Sequence, residues 1–381
     1  MTEINKTIKG DKGIWAVVIA LSIISMLSVF SSSGSSESSI GDVVKHVMIL
    51  LFSFGIIYIC HLLPYGFYYR IAPLALVLAF ILVFLTIIFG VEKNVATRAL
   101  RIPIINLTFQ TSDFAKIALT IFLARVLAKN QENIKDFKKT FIPLMIPILG
   151  LCLLISISNL STALFIFATS IVLIFIGRIS LKQLLGTIGL GVVFFLIMLK
   201  LGEAYPKIFP RQNTWYSRVE AFSNKKEIDK KAPTQENNAM IAIADGRIFG
   251  VGAGNSKQRN SLAKASSDFI YVIIIEEYGI VGGFVVILLY LILFYRSIRI
   301  ASKTPRFFGS LLVFGCSLLI IFQAYIIMGY TVGLLPTTGL PLPLISMGGT
   351  SLWFTALNVG IILSVSREVE NNQTEEEHAT V

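Results

Sequence analysis

The side chains able to do chemistry in this sequence are few, and they stand at the edges of apolar runs. Asp113 and Lys116 are three residues apart, which puts both on one face of a helix. That pair reads either as a local ion pair, with Asp113 also capping its helix, or as part of a site. Ser266-Ser267-Asp268-Phe269 opens a long apolar run that continues through Glu276 and Glu277 to Tyr278-Gly279. Asp268 is then either a helix N-cap or a general base: a carboxylate at the water–membrane boundary, oriented by a cation such as Lys116, suits proton abstraction.

Two uncharged or glycine-rich segments accompany these residues. From Asp245 to Gln258 the chain carries Gly250, Gly252 and Gly254 in alternation, but no strand–helix unit surrounds them, so a dinucleotide-binding reading is rejected. The glycines fit a tight backbone path, with amides turned toward an anion. From Gly333 to Ser351 the sequence is thick with Pro and Gly. Backbone of that kind at membrane depth must be buried in protein or line a cavity, which leaves helix breaking and cavity wall as two readings.

The elements that must hold these groups are spanning helices. Of 381 residues 55% are hydrophobic and 14% charged, too apolar a balance for a soluble domain of this length. Runs at 14–30, 43–63, 72–90, 113–129, 141–157, 159–177, 181–200, 268–295, 308–331 and 343–365 suit about ten transmembrane helices, an all-α polytopic membrane protein. Residues 1–13 are then an inner tail, 14–367 the membrane domain and 368–381 a polar, disordered tail. The first run is read as an uncleaved helix.

Charge sets the orientation. Lys6, Lys9, Lys12, Lys135, Lys138, Lys139, Arg296, Arg299 and Arg306 fall on one side, against Lys45, Lys93, Arg98 and Arg101 on the other, so both termini are expected in the cytoplasm. The net charge of +11 is thereby assigned to topology, not to nucleic acid. A long segment, 201–267, then lies outside. Its excess of basic residues reads as attraction to lipid headgroups or as a site for an anionic substrate, with Arg211 and Arg218 flanking the Trp215-Tyr216 pair as candidates. Cys60, Cys152 and Cys316 lie in separate apolar runs and His46, His61 and His378 are scattered, so no disulfide framework or metal site is expected.

Four stretches together resemble the FtsW/RodA (SEDS) family: Phe109 to Lys116, Ile241 to Ser256, Ser267 to Gly279, and Leu335 to Ser351. The resemblance runs from about Gly10 to Arg367. It implies a ten-helix inverting glycosyltransferase of the inner membrane that polymerises lipid II, an undecaprenyl-pyrophosphate-linked disaccharide-pentapeptide, into peptidoglycan. On that likeness Asp268 activates the acceptor 4-hydroxyl and Lys116 pairs with it. Arg98 and Arg218 neutralise the donor pyrophosphate, and Arg211, Gln110 and Ser346 are further substrate-binding candidates. A divalent cation, Mg2+ or Mn2+, is a possible helper without a readable ligand set. The implied partners are a class B penicillin-binding protein and other division proteins.

The chain departs from the family pattern at Ser158-Asn159-Leu160-Ser161-Thr162, where many members carry an aspartate, at Asp113, where Glu is usual, and at Met347, where an aromatic residue is common. The wording around Gly10-Asp11-Lys12, Asp268 and Glu276-Glu277 favours the septal branch over an elongation polymerase of the RodA kind. A lipid II flippase and a division scaffold are the competing readings. The flippase needs a polar path through the bilayer, whereas the charges other than Glu276 and Glu277 sit at span ends.

Overall fold

The computed structural model describes residues 9–33, 37–92, 97–102, 107–204, 235–262 and 265–379. Arg211 and Arg218 lie outside them, as does the side chain of Arg98. The fold is all-α, with helices α1 (Lys12–Ser33), α2 (Glu37–Leu62), α3 (Tyr65–Phe89), α4 (Thr111–Lys129), α5 (Ile142–Ser158), α6 (Leu160–Ile176), α7 (Leu181–Ala204), α8 (Gln235–Gly246), α9 (Ile270–Lys303), α10 (Phe307–Thr331) and α11 (Thr350–Ala379). Between α3 and α4 a small antiparallel ribbon joins β1 (Val91–Glu92), β2 (Thr97–Ile102) and β3 (Leu107–Phe109), with Leu100 opposite Phe109 and Ile102 opposite Leu107. The sequence reading has no counterpart for this ribbon.

Among the described residues, eight helices are long and apolar enough to cross a bilayer: α1, α2, α3, α5 with its preceding turn, α7, α9, α10 and α11. Helix α6 is shorter and apolar, and α4 carries Asp113, Lys116, Arg125 and Lys129. Burial sorts them. The apolar window of α10 is 78% buried and that of α11 72%, against 17% for α7 and 28% for α3, so α10 and α11 are central and α3 and α7 form the rim. Along α4 the buried side chains extend from Thr111 through Leu127. The helix bearing the Asp113–Lys116 pair therefore packs inside the bundle, where these polar groups meet partners instead of hydrocarbon.

Several boundaries differ from the expected spans: α2 begins at Glu37 instead of 43 and α9 runs on to Lys303 instead of 295, and three further differences have a visible cause. Helix α3 begins at Tyr65, before the expected 72, because the buried Tyr65 and Tyr68 extend its packed face and Pro73 is accommodated inside the helix. The last span starts at Thr350 instead of 343, since Pro341, Pro343, Gly348 and Gly349 keep the preceding segment non-helical. Its helix also runs to Ala379, across residues assigned to a disordered tail. Early in that stretch Glu370 accepts from Gly10 N at 2.6 Å and Asn371 from Lys9 Nζ at 2.9 Å, contacts that only the folded chain brings together.

Helix α9 has 34 residues, about 51 Å at 1.5 Å per residue, and it is broken inside. Gly279 takes φ 70° and ψ −171°, a conformation open essentially to glycine alone. The orphaned backbone groups are satisfied by the glycine-rich segment after α8. Val251 N and Gly252 N donate to the carbonyls of Glu276 and Glu277 at 2.9 and 3.0 Å, while Ile280 N and Val281 N donate to those of Arg247 and Ile248 at 3.0 and 3.3 Å. Close approach requires missing side chains on both partners: a Cβ on Gly250 would overlap the Glu277 carbonyl, and one on Gly279 that of Ile248.

Glu276, fully buried, fastens the next stretch of the same segment. Its carboxylate accepts from Ser256 Oγ at 2.5 Å, Lys257 N at 2.8 Å and Gln258 N at 3.2 Å, so the buried charge is met by three donors. Glu277 accepts from Ser31 Oγ of α1, and Arg259 donates to Ser31 O at 3.2 Å, which ties α1 to the same loop.

Gly279→Ala is expected to lower stability by about 3 kcal/mol through strain at the break alone, with Gly250→Ala similar. Gly254→Ala, at φ 79° in open space, serves as the control and is expected to cost about 1 kcal/mol. Thermal unfolding in detergent orders the three; equal losses would deny the interlock. Glu276→Ala is expected to free 256–258, read out as faster tryptic cleavage after Lys257 and Arg259 in the folded protein.

Candidate functional site

The Gln110–Lys116 stretch enters the bundle as the first turns of α4. Gln110 N donates to Thr350 Oγ1 at 3.4 Å and Thr350 Oγ1 to Thr108 O at 3.1 Å, so the start of α11 holds the entry to α4. Asp113 is not the cap: Gln110 occupies that position, and Asp113 Oδ1 pairs with Lys116 Nζ at 2.7 Å. Both side chains are nearly excluded from solvent, at 2% and 7% exposure, so the pair sits in a medium where an unmatched charge would be costly. Gln110 Nε2 adds a long contact to Asp113 Oδ1 at 3.4 Å.

The ammonium of Lys116 has two further neighbours. It donates to Gln323 Oε1 of α10 at 3.1 Å and lies 5.4 Å from the centre of the Phe165 ring of α6. Asp113, Lys116, Gln323, Pro343, Ser351, Phe354, Thr355 and Asn358 line a small, partly open cavity. Into its polar wall come Asp113 Oδ2 and Asn358 Oδ1, buried oxygens without a hydrogen-bond partner among the described residues. Two such acceptors on one cavity suit a ligand or water that donates hydrogen bonds.

Asp268 stands in the turn just before α9, half-buried, and it is not the N-cap: Phe269 holds that position without a side-chain bond. Ser267 Oγ donates to Asp268 Oδ1 at 3.1 Å. The carbonyls of three successive residues are claimed from two other elements. Ser266 O accepts from Met347 N at 2.9 Å, Ser267 O from Ser346 Oγ at 2.5 Å, and Asp268 O from Tyr330 OH of α10 at 2.6 Å. With its backbone held at every step, the carboxylate has little freedom beyond its own rotamer.

The Pro/Gly segment that supplies Ser346 and Met347 is itself fixed by carbonyl capture. Pro341 O accepts from Gln323 Nε2 of α10 at 2.8 Å, Pro343 O from Tyr290 OH of α9, and Ile345 O from Ser25 Oγ of α1 at 2.7 Å. Ser25 Oγ is in turn 2.7 Å from His46 Nε2 of α2. The segment breaks the helix, and one of its residues, Pro343, lines the small cavity beside Lys116.

The expected residues divide into two groups. Asp113, Lys116 and Gln110 are brought together on α4, whereas Asp268 and Ser346 meet at the head of α9 and do not line the Lys116 cavity. Lys116, paired by resemblance with Asp268, has its ion pair with Asp113 here. Ser346 is fully buried, donating to Ser267 O and accepting from Leu342 N at 2.8 Å, so its hydroxyl fastens a turn. Asn159, at the position where an aspartate is common, caps α6 by accepting from Thr162 N at 3.3 Å. Sequence reasoning missed Gln323, Tyr330 and Asn358; the signal for Gln323 and Asn358 was a lone amide in an apolar run.

The comparisons with known proteins agree on one family. The family described as Cell cycle protein, FtsW/RodA/SpoVE, matches residues 11–371. A probable peptidoglycan glycosyltransferase FtsW of Alkalilimnicola ehrlichii is 33% identical over 92% of this chain and 88% of its own length. Stage V sporulation protein E of Bacillus subtilis is 33% identical over 78% of this chain and 79% of its own. Among solved structures, a chain from a peptidoglycan synthase complex superposes with a TM-score of 0.71 at 24% identity, covering 94% of this chain and 98% of that one. The rod shape determining protein RodA of Thermus thermophilus gives 0.68 at 22% identity, covering 94% and 97%. With the match spanning nearly its whole length, this chain belongs to the FtsW/RodA/SpoVE family of cell cycle proteins.

Proposed function

We propose that this chain is a peptidoglycan glycosyltransferase that polymerises lipid II in septal wall synthesis, with Asp268 as its general base. The observation that carries the reading is the geometry at the head of α9: a half-exposed carboxylate whose own and two preceding carbonyls are each held by a separate donor. Such a fixed carboxylate is suited to take the proton of the acceptor 4-hydroxyl as its oxygen attacks the donor anomeric carbon. The anomeric C–O bond to the pyrophosphate breaks on the opposite face, inverting the centre, and the pyrophosphate departs with the bonding pair. Arg98 and Arg218 are assigned to that leaving charge, with Arg211 a further substrate-binding residue. Lys116, held by Asp113 and Gln323, supplies positive potential at the neighbouring cavity.

Among the described residues no group of three or more His, Cys, Asp or Glu side chains is placed to hold a metal ion, so no step is assigned to a divalent cation. The septal assignment follows the naming of several relatives as FtsW. The likeness to a chain of a synthase complex supports a partnership with a class B penicillin-binding protein and, through it, with other division proteins. A cytoplasmic placement of both termini is supported by their meeting at one end of the bundle. There Lys9 and Gly10 contact Asn371 and Glu370, and Asp11 pairs with Arg296 at 3.4 Å, near the far end of α9 from Asp268. Ten spans follow if α4 and α6 cross together with the eight apolar helices. The active face is then extracytoplasmic.

Asp268→Asn, purified with its transpeptidase partner, is expected to keep its unfolding temperature and to lose polymerisation of lipid II by a factor of about 100 to 10,000. Near wild-type polymer from that variant would end the assignment. Movement of labelled lipid II across liposomes without polymer would favour the transport reading instead.

A further inference from the structure

Beyond the groups assigned to the reaction, Gln323 occupies a singular place. It lies on α10, 6% exposed, inside the apolar run from Leu318 to Ile327. A buried primary amide has a donor end and an acceptor end, and both must be met. Here they are met by two different parts of the site: Oε1 accepts from Lys116 Nζ at 3.1 Å, and Nε2 donates to Pro341 O at 2.8 Å. Two turns further along the same helix, Tyr330 donates to Asp268 O.

We infer that Gln323 is a positioning residue that couples the buried Asp113–Lys116 pair on α4 to the Pro341–Met347 turn and, through that turn, holds Asp268 in its reactive geometry. The path is continuous. Gln323 fixes Pro341 O; the adjacent Leu342 N donates to Ser346 Oγ; Ser346 Oγ donates to Ser267 O; and Met347 N donates to Ser266 O. The Leu342–Ser346 bond is buried and those of Gln323 to Pro341 and Ser346 to Ser267 are part-buried, so a lost donor is only partly replaceable by water. The segment holds itself only in part, through Leu342 O with the amides of Ile345 and Ser346; Pro341 and Pro343 have no N–H to give, and the carbonyls of Pro341, Pro343 and Ile345 depend on side chains from α10, α9 and α1. Of those three captures, only that by Gln323 also touches a charged group of the site. Glutamine is the side chain this position demands. Glutamate keeps the acceptor for Lys116 and loses the donor for Pro341, whereas methionine of similar length loses both.

The competing account is that Gln323 serves only to solvate Lys116 inside the bundle. It predicts that Gln323→Glu, which places a full negative charge against that ammonium, polymerises normally. The coupling account predicts the opposite, since the turn would face a second acceptor.

This inference rests on the reading of Asp268 as the base, and the experiment separates the two. Polymerisation of lipid II is measured for full-length Gln323→Glu and Gln323→Met with the transpeptidase partner, alongside Asp268→Asn and with unfolding temperatures in detergent. Both Gln323 variants are expected to lose kcat by about 100-fold, as a displacement of about 1 Å at a reacting group does, with KM within about threefold of wild type. The double variant Gln323→Glu with Ser346→Ala is expected to lose less than the product of the two single effects, because both act through one turn. A folded Gln323→Glu enzyme within twofold of the wild-type kcat, or fully multiplicative losses, would overturn the coupling while leaving Asp268 standing if Asp268→Asn is dead. Should Gln323→Met fail to fold, Gln323→Glu alone decides. An active Asp268→Asn would remove both claims.

Discussion

Everything in this structure turns on how backbone carbonyls find donors in a bundle that excludes water. A carbonyl left unpaired among hydrocarbon side chains costs several kcal/mol, and helices avoid that cost only along their regular stretches. This chain departs from helix at two critical places, the break at Gly279 and the turn from Pro341 to Met347, and in both it recruits donors from elsewhere. At Gly279 they are the amides of Val251 and Gly252; at the turn they are Gln323, Tyr290 and Ser25. Irregular backbone is thus tolerated because it is overdetermined, and overdetermined backbone is also rigid.

Rigidity of that sort is what a glycosyl transfer asks of its base. Asp268, the proposed base, sits on a turn, a position ordinarily mobile, yet the three carbonyls around it are each bonded to a different group. The backbone is held without full burial of the residue, so the carboxylate stays partly open to an incoming hydroxyl. The two carboxylates that follow, Glu276 and Glu277, do structural duty. One collects the amides of 257 and 258, and the other reaches Ser31 of α1, so the glycine-rich segment and α1 are both tied to the turn of α9 just before the break.

Charge inside the bundle obeys the same accounting. Lys116 would be prohibitive alone in an apolar interior, and it is matched by Asp113, by the Gln323 carbonyl and by the Phe165 face. The helix that bears it packs against α10 and α6, and the cavity beside it holds two acceptors without a partner among the described residues, Asp113 Oδ2 and Asn358 Oδ1. A polar cavity in an otherwise dry core is a place where a donor-bearing group is welcome.

Much of this was legible before any fold. Apolar runs longer than the bilayer is thick can only be helices, which made the class plain, and Asp268 at the head of one such run stood out because ionisable groups there are costly. Glycine at 250 and 279 was visible as composition, but that the two meet across a helix break depends on contacts between segments far apart in the chain. Spacing also put Lys116 beside Asp113, as an i, i+3 neighbour must be. Whether its remaining protons face Asp268 or Gln323 was a question of how α4 packs on α10, and no local pattern encodes that. Gln323 itself reads as an isolated polar residue in an apolar run. Its meaning appears only when Lys116 and Pro341, 207 and 18 residues away, arrive at its two ends, because a hydrogen bond is specified by position in space and the chain alone specifies only order.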